Sequence, residues 1–244
     1  MNNITDKGTL FVVPTPIGNL EDITLRAIRI LQESDIVVCE DTRQTMKLLS
    51  HLKISKQLIS FYTQNQLKRI PQIISLLENG KKIALVSDCG TPAISDPGYY
   101  LIKEAIDKNI NVVPLPGACA LITALVGSGL TTDSFVFLGF LKKKTGKMKK
   151  ELEQAKSVQK TIVFYESPHR ILKTLETCKE VFGEQTKIVL ARELTKKFEE
   201  FIRGTIKEVS EEMSSREILG EFIILLEPAT QGTEPADADN PSEF

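Results

Sequence analysis

The sequence predicts an α/β protein made of two α/β domains with a cleft between them, the first sheet mainly parallel and the second mixed. Three observations predict it. Short β-branched runs alternate with amphipathic helical patterns from Leu10 to Gly117. The pattern then breaks at Gly127-Ser128-Gly129 and Thr131-Thr132-Asp133, and a second set of strands and helices follows. The expected boundaries are 1–118 for the first domain, 119–228 for the second and 229–244 for an acidic tail.

In the first domain the candidate strands are Leu10–Val13, Ile36–Cys39, Leu58–Phe61, Ile83–Val86 and Val112–Val113. Between them, Ile23–Leu31 places Ile23, Ala27, Ile30 and Leu31 on one helical face, and Ile70–Leu77 repeats the pattern. Strand, helix, strand in this rhythm means a parallel sheet with right-handed crossovers. An apolar helix near Ala118–Val126 precedes the break. Beyond it, strands at Phe135–Leu138, Ile162–Tyr165, Ile188–Ala191, Phe198–Arg203 and Phe222–Leu226 surround helices at Lys147–Ala155, Ile171–Phe182 and Ile206–Met213. No helix separates Ile188–Ala191 from Phe198–Arg203, so that pair reads as an antiparallel hairpin and the second sheet as mixed.

With 244 residues the chain is long enough to bury a real core in each half. No run approaches ~18 consecutive apolar residues and MNNITDKGTL holds no signal-peptide core, so the expectation is a soluble, cytoplasmic protein. The four cysteines, Cys39, Cys89, Cys119 and Cys178, form no CxxC, and the only histidines are His51 and His169. That argues for reduced thiols and against a zinc site; no metal is expected. The net charge of −1 hides an asymmetry, because residues 229–244 hold Glu234, Asp237, Asp239 and Glu243 and no basic residue. Such a tail lacks the apolar surface to offset its ordering entropy and is expected to be disordered.

The chemistry concentrates at strand ends. KIALVSDCGTPAISDPG (Lys82–Gly98) runs an apolar strand into a loop of Gly, Pro, Ser and Asp, longer than the usual ~2–6 residues of an α/β connection. Gly90 and Gly98 let backbone approach a ligand while Pro92 and Pro97 stiffen the path, and ligands of open α/β sheets collect at the carboxyl ends of strands. Neither GxGxxG nor GxxxxGK[ST] is present, which excludes a dinucleotide or triphosphate cradle of those kinds. Polar clusters follow the other strands: Pro14-Thr15-Pro16-Ile17-Gly18, Glu40-Asp41-Thr42-Arg43, Pro114-Leu115-Pro116-Gly117-Ala118, Tyr165-Glu166-Ser167-Pro168-His169-Arg170 and Arg192-Glu193-Leu194-Thr195-Lys196. Some have architectural readings as well. Ser167-Pro168 suits a helix start, Asp41-Thr42 fits a cap, and Arg192 and Glu193 fit ion pairs.

Between Lys142 and Lys150 stand six lysines in nine positions, split by Gly146. A charge run is commonly a solvated face; the alternative is a basic loop that neutralises phosphates, extended by Arg43, His169 and Arg170. No aromatic RNA-recognition motif accompanies it, so recognition would rest on shape and folded RNA context.

At these clusters the chain resembles the tetrapyrrole methylase superfamily and, within it, the family of ribosomal RNA small-subunit methyltransferase I. The matching words are VPTPIGNLEDITLRA (Val13–Ala27), CEDTR (Cys39–Arg43), ALVSDCGTPAISDPG (Ala84–Gly98), VVPLPGA (Val112–Ala118), FYESPHR (Phe164–Arg170) and LARELTK (Leu190–Lys196). The resemblance implies a homodimer and S-adenosylmethionine as cofactor. It implies 2′-O-methylation of a cytidine in the decoding region of small-subunit ribosomal RNA, within an assembled or nearly assembled small subunit. By position it implies cofactor contacts from Pro14, Ser87, Asp88, Gly90, Thr91, Pro92, Ile94, Leu115, Pro116, Gly117 and Ala118. From the second half it implies Tyr165, Glu166, Ala191, Arg192, Glu193, Leu194, Gly220, Glu221 and Phe222. Glu166 and Glu193 are the expected proton acceptors. RNA phosphates are expected at Arg43, Lys142, Lys143, Lys144, Lys147, His169, Arg170 and Arg192. Three positions depart from the pattern: Gln66 where Glu is usual, Ala118 where Pro is usual, and Leu219 where Lys is common. Two other readings stay open at this point: methylation of a tetrapyrrole or other small substrate, and a non-catalytic RNA-binding assembly factor of the same fold.

Overall fold

In the computed structural model, residues 7–228 are described, so the acidic tail expected at 229–244 lies outside them. Contacts divide the chain into two units. One runs to Thr123 and takes in Glu193–Glu199; the other comprises Ala124–Arg192 and the chain from Glu200. The short segment 193–199 thus packs with the first unit although it lies deep in the sequence of the second.

The first unit is built on five parallel strands, β1 (Thr9–Val12), β2 (Ile36–Cys39), β3 (Gln57–Ser60), β4 (Lys82–Leu85) and β5 (Asn111–Pro114), in the order β3-β2-β4-β1-β5. The inner strand β2 (Ile-Val-Val-Cys) and Ile83–Leu85 of β4 are apolar throughout and buried on both faces, while the outer strands β3 and β5 are partly exposed. Ile36 and Val38 face a core shared with Ile73, Ile74 and Leu77 of α3 (Gln66–Glu78) and Leu101 and Ala105 of α4 (Tyr99–Asp107). Val37 and Cys39 face the opposite core, made with Ala27, Ile30 and Leu31 of α1 (Leu25–Glu33) and Leu49 of α2 (Thr42–His51). The sequence reading has α2 only through its candidate cap at Asp41-Thr42 and lacks α4; each buries two residues, Thr45 and Leu49 in α2 and Leu101 and Ala105 in α4. Asp41 does cap α2, its Oδ1 accepting from Arg43 N at 2.8 Å. Since all five strands point the same way, the loops that follow them share one edge of the sheet.

The second unit also has five strands, β6 (Phe135–Phe140), β7 (Thr161–Glu166), β8 (Lys187–Arg192), β9 (Glu200–Thr205) and β10 (Phe222–Glu227), ordered β6-β7-β10-β8-β9. β6 and β7 are parallel and every other pairing is antiparallel, including the β8–β9 hairpin. β9 begins at Glu200 rather than Phe198, because Phe198 belongs to the segment that joins the first unit. One face packs on α6 (Thr145–Lys156), α7 (Ile171–Phe182) and α8 (Ile206–Ser214), with Ile162, Phe164, Leu190 and Ile224 meeting Leu152, Leu175, Cys178 and Val209. Thr205 and Glu208 close a reciprocal capping box on α8. Ser167 makes no side-chain cap; Pro168 opens a single 3₁₀ turn, Pro168–Arg170, that leads into α7.

Candidate functional site

In the first unit the loops after β1, β4 and β5 are stitched together at the strand ends. Thr15 and Gly90 exchange two backbone hydrogen bonds at 2.9 Å, a lone antiparallel bridge between the loops after β1 and β4. Thr15 Oγ1 donates to the Ser87 carbonyl at 3.1 Å, and Thr91 Oγ1 donates to the Ala118 carbonyl at 3.0 Å. These bonds bring together Pro14, Ser87, Asp88, Gly90, Thr91 and Ala118, positions at which the family resemblance implies cofactor contacts. Gly90 sits at φ +77°, where glycine is favoured. Gly117 is required for space instead, since a Cβ there would stand 2.6 Å from Pro14 Cβ. Ile94 is exposed, while Pro92 and Leu115 are buried beneath the loops.

Carboxylates gather at the same edge. Asp88 Oδ1 accepts from Asp41 N at 3.0 Å, which joins the loops after β2 and β4. Burial first, then the Asp88 and Asp41 charges, raise Glu40 above the ordinary carboxylate range. Asp96 is pushed up to about 7 by burial, then by Glu40 and Asp88, against a hydrogen bond with Ser87. Asp41 goes the other way, to about 2, because Arg43 binds it through side chain and backbone. Sequence reasoning placed neither Glu40 nor Asp96 among the site residues. The available signal was the second acidic word in the loop, Ser95-Asp96-Pro97-Gly98, in a stretch where Ala93 and Ser95 also hold positive φ.

The segment 193–199 adds Glu193 and Leu194 to the first unit. Glu193, at φ +49°, holds Lys196 Nζ at 3.0 Å, and Leu194 is buried. Gly18 lies against this segment, with no room for a Cβ beside Thr195 Oγ1 at 2.8 Å.

In the second unit, the strand register sets Glu166, Phe222 and Arg192 side by side across β7, β10 and β8. Ala191 is buried within β8, and Gly220 (φ +95°) turns the chain into β10 beside Glu221. The Glu166 carboxylate is fully buried and fully engaged. Oε1 accepts from Ser167 N at 2.7 Å; Oε2 accepts from Thr174 Oγ1 at 2.7 Å and lies 3.2 Å from Arg170 Nη2. Arg170 also donates to the Leu141 carbonyl at 3.1 Å, anchoring the start of the lysine loop. Arg192 donates to the Leu219 carbonyl at 2.6 Å and meets Glu200 at 3.4 Å, which in turn takes a bidentate grip from Arg216. His169, Lys142, Lys143, Lys144 and Lys147 are exposed.

Two of the three departures fall where the backbone makes the contact. The Ala118 carbonyl receives Thr91 and the Leu219 carbonyl receives Arg192, so the side chain at either position can change without losing the bond. Gln66 heads α3 and donates from Nε2 to the Thr63 carbonyl at 3.3 Å, a contact that a carboxylate could not make.

Residues 9–210 match the family model described as Tetrapyrrole (Corrin/Porphyrin) Methylases. The ribosomal RNA small subunit methyltransferase I of Halalkalibacterium halodurans is 47% identical over 232 residues, covering 95% of this chain and 80% of that protein. That of Bacillus subtilis is 49% identical over 226 residues, covering 93% and 77%. The chain belongs to the ribosomal RNA small subunit methyltransferase I family of tetrapyrrole methylases.

Solved tetrapyrrole methylase-like structures share the fold at low identity. The methyltransferase CobJ superposes with a TM-score of 0.69 at 18% identity, covering 93% of this chain and 98% of its own. A uroporphyrin-III C-methyl transferase from Thermus thermophilus complexed with S-adenyl homocysteine gives 0.64 at 17%, covering 89% and 97%. Among the described residues of this family member, no group of three or more His, Cys, Asp or Glu is arranged to hold a metal ion, and no helix is long and apolar enough to cross a membrane.

Proposed function

We propose that this chain transfers a methyl group from S-adenosylmethionine to the 2′-hydroxyl of a cytidine in the decoding region of small-subunit ribosomal RNA. The observation that carries this reading is the 47–49% identity, over more than nine-tenths of the chain, to proteins named for methylating that RNA. We further propose that it acts in the cytoplasm as a homodimer, on the assembled or nearly assembled small subunit.

The first unit's loops fit the cofactor. Gly117 and Gly90 let the loops close on one another, against Pro14 and Ile17, and Glu40, Asp88 and Asp96 place negative charge where a cationic ligand is favoured. When bound, S-adenosylmethionine supplies a methyl whose bond to sulfur breaks as the ribose oxygen bonds to it, so the sulfonium charge disappears. The bridged loops hold geometry, and alignment of this kind contributes up to ~7–11 kcal/mol. Glu193, beside Lys196, is assigned to receive the hydroxyl proton, a role worth ~10²–10⁴-fold. Glu166 is assigned to position Arg170, since its oxygens are committed to Ser167, Thr174 and Arg170.

The test is transfer of radiolabel from S-adenosylmethionine to small subunits from cells that lack this enzyme, with mass spectrometry of the nucleosides. The expected product is 2′-O-methylcytidine from the decoding region. Label on a tetrapyrrole and not on subunits would favour a small substrate. Cofactor binding lost altogether would favour an assembly factor without turnover.

Asp96 makes cofactor binding depend on pH. A carboxyl held near 7 is protonated below that value, and a cation beside it favours the ionised form. Affinity for S-adenosylmethionine is therefore expected to rise from pH 5.5 to 8, and Asp96→Asn to flatten the profile, as read by calorimetry. For stability the sign is opposite. The folded state binds the extra proton between the unfolded value of 3.8 and about 7, so the ligand-free fold weakens as pH rises through that window. Asp96→Asn is expected to melt higher than the wild type at pH 8 and to lose that advantage at pH 4.

A further inference from the structure

We propose that Phe140 and Tyr165, at the open edge of the second sheet, form a platform on which an unpaired base of the RNA substrate stacks, with the lysines of 142–147 holding the flanking phosphates. This rests on the methyltransferase reading and names how its substrate is gripped.

The argument starts from a bulge. β6 pairs with β7 in regular register through Phe137↔Val163, and Leu138 points to the helix-packed core. In an unbroken strand Phe140 would share the Leu138 face and be buried with it. Instead the register shifts between Phe137 and Phe140, Gly139 takes φ +63°, and Phe140 lands opposite Tyr165. The one extra residue moves a phenylalanine from the core face to the other, where it is 55% exposed. For folding alone this is unfavourable, since burying such a ring stabilises by ~1.5–3 kcal/mol.

The exposed ring joins an aromatic group. Tyr165 meets Phe140 edge-on at 5.4 Å between centroids and Phe137 at 5.0 Å. These contacts orient Phe140 without covering it. Two residues later the lysines begin. Lys142, Lys143, Lys144 and Lys147 are exposed and form no ion pair among the described residues, whereas Lys149 is taken by Glu180. The Arg170 guanidinium ties this loop to β7 through the Leu141 and Lys142 carbonyls, so the cations stand at a defined place beside the rings.

An aromatic surface flanked by cations is the chemistry of single-stranded nucleic acid: rings take base faces, and lysines take phosphates. A second copy of the chain fits less well. A two-fold interface that covered these rings would crowd both copies' unpaired lysines into one contact.

The test uses the full chain and a fluorescently labelled single-stranded RNA of twelve nucleotides. Phe140→Ala is expected to weaken binding by about 5- to 100-fold with the salt dependence unchanged, and Phe140→Trp to retain affinity. Lys143→Ala is expected to lower the slope of log affinity against log salt by ~0.7. Photocrosslinking of the wild type, which involves no variant, is expected to attach RNA to peptides bearing Phe140 or Tyr165. Wild-type affinity in a folded Phe140→Ala, crosslinks confined to other peptides, or a Phe140→Ala variant that loses self-association and keeps its RNA affinity would each overturn the platform. Methyl transfer by the wild type is scored separately, so failure of the platform and failure of the methyltransferase reading give different results.

Discussion

Glu166→Ala lowers the stability of the second unit by about 3–5 kcal/mol, the scale expected when one partner of a buried, hydrogen-bonded ion pair is removed. Its carboxylate side chain has no solvent exposure and accepts from Ser167 N and Thr174 Oγ1 at 2.7 Å each, with Arg170 at 3.2 Å. Alanine leaves a part-buried guanidinium, a buried hydroxyl and a backbone N–H without their acceptor at one corner, where β7 turns into α7. Glu166→Gln keeps the shape and one acceptor oxygen, so it should fall between the two. Denaturant melts of the three proteins check this; an alanine variant within 1 kcal/mol of the wild type, roughly the cost of an ordinary point substitution, would show that the corner is held by something else. Glu193→Gln set beside Glu166→Gln separates proton transfer from structure. At saturating substrate, Glu193→Gln is expected to lower turnover by ~10²–10⁴-fold with an unchanged melt. Glu166→Gln is expected to lose stability first.

Gly117→Ala is expected to reduce affinity for S-adenosylmethionine by about 10- to 100-fold, if the loops after β1 and β5 hold it as proposed. The new Cβ would lie 2.6 Å from Pro14 Cβ and 3.0 Å from Pro14 Cγ, closer than packed carbons tolerate. Neither side can yield cheaply. Leu115 N is tied to the Val12 carbonyl at 3.0 Å, the Ala118 carbonyl to Thr91, and Thr15 to Gly90. Relief must come from parting the loops after β1 and β5, and overpacking of this kind costs ~1–3 kcal/mol. Calorimetric titration with the cofactor reads the loss, and a melt shows how much of it is local. Binding within twofold of the wild type would place the cofactor away from these loops.

Much of this was legible before any coordinates. Runs such as Ile36–Cys39 read as strands buried on both faces because adjacent residues are all apolar, and the structure divides them between two helix-backed cores. The loop words marked the strand ends that the structure stitches together, because proline and glycine there stop a strand and stiffen its exit. Less visible were α2 and α4, each of which buries only two residues, and the membership of 193–199 in the first unit, which depends on contacts distant in sequence. Asp96 was equally hidden: its raised proton affinity comes first from burial, then from Glu40, in the loop after β2, and from Asp88.

By itself, then, the sequence determined the two α/β units, the parallel rhythm of the first, the loops at its strand ends and the family, because each is written in local pattern and local wording. Tertiary structure alone decided three things: that Glu166 is a buried tie and not an open carboxylate, that Asp96 holds its proton to near neutrality, and that one extra residue at Gly139 turns Phe140 out beside Tyr165 and the lysines. The physical reason is common to all three. Burial, electrostatic coupling and strand register depend on what lies across space from a residue, and the chain states only what lies beside it.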